Sequence, residues 1–212
     1  MKIKKDNFEQ LSVSEKEKYK PILQTADTKK FYIDWQKEFI PISIYSNAII
    51  QEFMKEKIVI GRVTKSIQAC LDLAKHFIGK ATLITDSKID LKFLLGILNS
   101  SFINCWYFLK YETTHMAGGY LRFDIPYLEQ IPIPAIPLSA QQPIISLVEQ
   151  ILAAKHGIAG QARNDGGVAD TSAQERQIDA LVYKLYGLDY EEVKIIEPEF
   201  WLSESEYEAV KV

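Results

Sequence analysis

Apolar and polar positions alternate over residues 31–35, 38–45 and 120–125, the period-two pattern of half-buried strands. The clearest strand is 57–63, Lys-Ile-Val-Ile-Gly-Arg-Val. It is β-branched, and Gly61 inside it allows another backbone or a ligand to come close. Residues 81–85 give a shorter strand, and 68–77 are apolar at mixed spacing. Elsewhere the spacing is helical. Residues 12–19 predict a short helix with Ser14 as N-cap and Glu17 completing a capping box, ended or redirected by Pro21. Residues 46–55 read as a helix, and 91–109 as a long amphipathic one with a break near Asn99-Ser100. Ser139 caps a helix over 140–156, with Ile144, Ile145, Leu147, Val148, Ile151 and Leu152 as its apolar positions. A further helix over 172–186 carries Ile178, Leu181, Val182 and Leu185 on one face and stops at Gly187. These two predict an antiparallel hairpin. Residues 111–119 are polar and turn-rich, and 157–171 are rich in Gly, Ala and Asp, which predicts a mobile loop. Pro126, Pro132, Pro134 and Pro137 forbid regular structure as far as Ser139. The fold class is α+β: a mixed-sheet domain over 1–136, a helical hairpin over 137–188 and an acidic tail over 189–212.

Composition narrows this picture. A chain of 212 residues suits one large domain, or one domain with an appendage. No apolar run approaches the roughly 20 residues that span a bilayer. The basic N-terminus, Met1-Lys2-Ile3-Lys4-Lys5-Asp6, leads into no apolar signal core, so the expected location is the cytoplasm, without a membrane partner. Two cysteines, Cys70 and Cys105, make neither a disulfide framework nor a metal site and read as small buried hydrophobes. Charge is unevenly spread. Residues 54–122 hold ten Lys/Arg against five Asp/Glu, whereas 123–212 hold six against fifteen. A basic middle suits a phosphate backbone, although solvating surface lysines give the same count.

The order of parts from Leu94 to Ile151 is more specific. A helical run (Leu94, Leu95, Ile97, Leu98) leads into Asn99-Ser100-Ser101, then an aromatic segment and Gly118-Gly119. Tyr120 and Arg122 follow, then Leu128-Glu129-Gln130-Ile131-Pro132-Ile133-Pro134, then a Gln-rich helix start. This resembles the C-terminal specificity domain of TaqI-like adenine DNA methyltransferases and fused restriction–methylation enzymes, and more loosely the specificity subunits of type I restriction systems. Two further stretches are similar to the same family. One is the opening segment from Lys18, where Thr25, Thr28, Lys30 and Phe31 depart from the usual residues. The other runs from Ile178 through Leu185-Tyr186-Gly187-Leu188 to Val193.

The resemblance implies sequence-specific recognition of double-stranded DNA, with no chemistry in this chain. The partner would be a methyltransferase catalytic domain or subunit, and the helical hairpin would space the two or pair copies as a homodimer. The residues themselves agree on the lack of catalytic parts. There is no Asn/Asp-Pro-Pro-Tyr/Phe turn for a flipped adenine, no phosphate-binding loop and no zinc spacing, and His76, His115 and His156 are scattered. S-adenosylmethionine is therefore expected in the catalytic part, and no cofactor in this one. DNA contacts are expected in two regions. The first is Lys110, Tyr111, Thr113, Thr114, His115, Tyr120 and Arg122. The second is Arg62, Thr64 and Lys65, with Ser66 and Gln68 beside them, where Arg62 could reach a guanine bidentately. Lys80, Lys88 and Lys92 are weaker phosphate candidates. The competing reading packs Tyr120 into the core, pairs Arg122 with Asp124 or Glu129 and makes Arg62 a surface ion pair. The alternative for the whole chain is a protein-assembly module that no longer binds DNA.

Overall fold

A computed structural model describes residues 2–85, 88–114, 116–157 and 169–211. The predicted loop over 157–171 lies mostly outside the described residues. The first half contains β1 (Ile3–Lys4), α1 (Lys5–Glu9), α2 (Val13–Lys16), β2 (Tyr19–Leu23), β3 (Thr28–Lys29), β4 (Tyr32–Ile33) and β5 (Glu38–Pro41). Then come α3 (Asn47–Phe53), β6 (Lys57–Gly61), β7 (Val63–Thr64), β8 (Ala69–Asp72), β9 (Phe77–Ile78) and β10 (Ala81–Ile84). The second half holds α4 (Leu91–Asn99), α5 (Ser101–Lys110), β11 (Leu121–Arg122), α6 (Ile125–Leu128), α7 (Leu138–Gly157), α8 (Ser172–Leu185), α9 (Tyr190–Ile196) and α10 (Glu204–Glu208). The fold is α+β, as its pattern predicts. No helix among the described residues is long and apolar enough to cross a membrane.

The strands form small sheets. One runs β1-β5-β2-β9, another β10-β6-β8, and two ribbons pair β7 with β11 and β3 with β4. Strand β6 is central and buried on both faces, hence its unbroken apolar run. Ile58 and Ile60 face the main core, with α4, Ile144, Val148, Ile178 and Val182. Val59 faces a second core with Ile22, Leu23, Phe53, Cys70 and Phe77. Helix α4 is thus covered by the hairpin of α7 and α8. The approach is close: a Cβ on Gly96 would lie 2.6 Å from Ile144 Cγ2. The apolar faces predicted for the two hairpin helices are spent on this chain's own core.

Several local expectations change. The first cap is Ser12 with Glu15, not Ser14 with Glu17, because the helix begins two residues earlier, at Val13. Pro21 sits inside β2 instead of ending a helix. Strand 57–63 divides at Arg62, since β6 ends its pairing with β10 at Gly61 while β7 turns to β11. Gly61 does permit a close approach: a Cβ there would lie 2.5 Å from Thr28 Oγ1. Pro126 does not exclude a helix. It lies in the first turn of α6, where its missing N–H costs nothing. Residues 120–125 yield only the two-residue strand β11, because α6 starts at Ile125. The acidic end is folded: Val193, Phe200 and Tyr207 pack with Ala180 and Tyr183 of α8.

The break at Asn99-Ser100 is an architectural joint. Ser100 is extended (φ −68°, ψ 153°), closing α4 and capping α5 through its Oγ, which accepts from Ile103 N at 3.3 Å. Asn99 is buried and turns to the outer edge of β8. Its Oδ1 accepts from Ala69 N at 3.1 Å and its Nδ2 donates to Ala69 O at 3.0 Å. Asn104 Oδ1 accepts from Ile67 N at 2.7 Å. Two side-chain amides therefore take the place of a missing neighbour strand.

Candidate nucleic-acid interface

The β7–β11 ribbon brings the two sequence-predicted regions together. Thr64 stands opposite Leu121 and Val63 opposite Arg122. Strand alternation sends Leu121 and Phe123 into the core and leaves Tyr120 and Arg122 outside. Tyr120 is 41% exposed. The turn before it needs both glycines, at φ +80° for Gly118 and +78° for Gly119, so that Met116 N can donate to Tyr120 O at 2.7 Å. Lys65 Nζ lies 5.7 Å from the centre of the Tyr120 ring. Tyr107, rising from α5, donates its hydroxyl to Arg122 O at 2.6 Å and braces the ribbon from below.

Arg62 sits at the head of this ribbon. Its carbonyl accepts from Phe123 N at 2.9 Å, and its Nε donates to Asp124 Oδ1 at 2.5 Å. The side chain is 54% exposed. The hydrogen bond to Asp124 and the carboxylate charge raise its already high pKa. A concavity of about 400 Å³ opens beside it, lined by Thr25, Arg62, Val63, Lys80 and Arg122. Lys80 reaches this place because Thr25 Oγ1 donates to Lys80 O and Lys80 N donates to Gln24 Oε1 at 3.1 Å. Arg62, Lys65, Lys80 and Arg122 thus share one face with Tyr120.

Other predicted residues have different surroundings. Tyr111 is half-buried, its ring 4.6 Å from that of Tyr107 and 5.0 Å from that of Tyr127, and its hydroxyl donates to Tyr127 O at 3.2 Å. Burial pushes its pKa up, with Tyr127 adding to the effect. It is part of an aromatic brace, not a free reader. Thr64 Oγ1 donates to Ser66 O at 2.5 Å, and Thr114 Oγ1 to Tyr111 O at 2.8 Å. Gln68 is tied to Lys30 N and Ser66 Oγ. Lys110 lies over the Trp106 ring at 4.7 Å, and Thr113 is exposed. His115 lies outside the described residues. Lys88 is exposed, but Lys92 is paired with Glu149 at 2.5 Å. The competing reading holds only for Arg62, which is a surface ion pair; Tyr120 is outside the core, and Asp124 bonds to Arg62 instead of Arg122. The role of Asp124 was not visible in sequence, because its partner lies 62 residues away.

A family model for the TaqI-like C-terminal specificity domain matches residues 20–133. The chain belongs to this family. The TaqI-like match runs from β2 to Ile133 and so contains both halves of the β7–β11 face. The hairpin and the acidic end lie beyond it. No curated protein matches the chain. Within this TaqI-like domain, the Asn99-Ser100 joint is structural, while Lys65, Tyr120 and Arg122 of the ribbon remain exposed.

Proposed function

We propose that this specificity domain recognises a sequence in double-stranded DNA and sets a separate catalytic domain or subunit upon it. That partner would be an adenine methyltransferase of a restriction–modification system, carrying the S-adenosylmethionine. The observation that supports this best is the β7–β11 pairing, which gathers Arg62, Lys65 and Arg122 beside an exposed tyrosine, with Lys80 lining the same concavity as Arg62 and Arg122. Lys65, Lys80 and Arg122 are exposed and make no ion pair among the described residues. Cations so placed neutralise phosphates and fix register, while neighbouring long side chains read base edges in the major groove. Flipping the target adenine falls to the catalytic partner.

The test is retention of random duplex DNA at two salt concentrations, followed by sequencing of the bound fraction. Enrichment of a short motif and a steep loss of affinity with salt are expected. Lys80→Ala and Arg122→Ala should each lower the slope of log affinity against log salt by about 1. Absence of binding at low salt would refute DNA recognition and favour an assembly module. The cleft of Leu147, Ala180, Leu181, Trp201, Leu202 and Val210, about 250 Å³, would then be the surface to probe.

A further inference from the structure

The geometry points to Arg62 as a reader of one guanine, with Asp124 as the positioning residue that holds its guanidinium. This rests on the DNA-recognition reading above and divides labour within that face. Arg62 differs from the other cations there. Its Nε is held by Asp124 Oδ1 at 2.5 Å, which cancels much of its charge locally. A neutralised pair is a poor phosphate clamp, since phosphate binding gains from released counterions. Yet both terminal nitrogens of Arg62 make no hydrogen bond among the described residues. They leave a planar fork of donors, which matches the O6 and N7 acceptors of guanine.

The surroundings support this assignment. Arg62 lies on the ridge between two concavities. On one side are Lys80 and Arg122, suited to a phosphate strand. On the other, a hollow of about 580 Å³ is lined by Ile78, Leu83, Ile125 and Pro126 with Asp124 at its edge. The backbone that carries this carboxylate is itself fixed, as Asp124 O accepts from Tyr127 N and Leu128 N at the start of α6, and the preceding Phe123 is buried and bonded to Arg62 O. The loop of contacts Arg62 O–Phe123 N and Arg62 Nε–Asp124 Oδ1 therefore sets both the backbone and the side chain of Arg62 from the same short segment. Restraint of this kind lowers the rotamer entropy lost when a long side chain binds.

The experiment selects bound duplexes from a random pool with the full chain, the wild type beside Arg62→Lys, Asp124→Ala and Asp124→Asn, with thermal melts to confirm folding. Arg62→Lys keeps the charge but loses the fork. It should erase the guanine preference at one position, a change of roughly 5- to 150-fold, with the salt slope unaltered. Asp124→Ala should flatten the same position several-fold, and Asp124→Asn, which keeps an acceptor for Nε, less so. If Asp124→Ala fails to fold, Asp124→Asn carries the test alone. A motif unchanged in the Arg62 and Asp124 variants overturns the inference while leaving DNA recognition standing. Flattening by Arg62→Lys without any effect of the Asp124 variants overturns the positioning role. Failure of the wild type to retain DNA at low salt overturns the recognition reading and this inference with it.

Discussion

Replacing Asn99 by alanine should destabilise the protein well beyond what one small exposed polar residue would. Asn99 is 1% exposed and bonds both backbone groups of Ala69, itself fully buried. Ala69 stands opposite Ile60, and the adjacent Gly61 N donates to Gln68 O across the strands. By antiparallel alternation, the Ala69 N–H and C=O therefore face away from β6. The carbonyl keeps a second donor, Phe31 N at 2.8 Å, after the change. The N–H keeps none. A buried donor left unsatisfied costs about 1–3 kcal/mol, and the lost bond to the carbonyl adds about 0.5–1.5 kcal/mol. The expected total is about 2–4 kcal/mol, which for a chain of this size lowers Tm by about 5–15 °C. Differential scanning calorimetry or urea titration reads this directly. Asn104→Ala should cost less, because its half-buried position lets water reach Ile67 N. A Tm shift of less than about 2 °C for Asn99→Ala would refute the argument that these amides close the edge of β8.

Two other outcomes follow from the packing. Gly96→Ala should destabilise by about 1–3 kcal/mol despite alanine's better helix propensity, since its Cβ would meet Ile144 Cγ2 at 2.6 Å, and Ile144→Ala in the same chain should recover part of the loss in urea titrations. Burial raises the Asp179 carboxyl from 3.8 to about 6, while Ser101 N and Oγ donate to it at 2.7 and 2.9 Å. Its contribution is fully present below pH 3.8 and is lost as pH rises through about 6, a difference on the order of 3 kcal/mol. Asp179→Asn should therefore gain on the wild type between pH 4 and pH 7, and a constant stability difference across that range would contradict the burial cause.

What the sequence determined by itself was the kind of local structure and the family. A β-branched run marked β6, a short strand was legible at β10, helical spacing marked α7 and α8, and the stretch from Leu94 to Pro134 carried the TaqI-like resemblance that the match over residues 20–133 bears out. These are properties of neighbours in the chain, so a linear pattern reports them. Where a boundary depended on distant contacts, the pattern misplaced it. Residues 57–63 looked like one strand, yet Arg62 divides them because Val63 and Thr64 pair with a ribbon some 60 residues on. The acidic end looked like a tail because its charges outnumber Val193, Phe200 and Tyr207, the few residues that anchor it to α8. The candidate face was legible only as two lists of residues. Tertiary pairing joined them, withdrew Tyr111 into an aromatic brace and gave Lys92 to Glu149. It also placed Asp124 against Arg62. Side-chain partners across many residues of chain are set by sheet register and helix packing, and no local pattern encodes those.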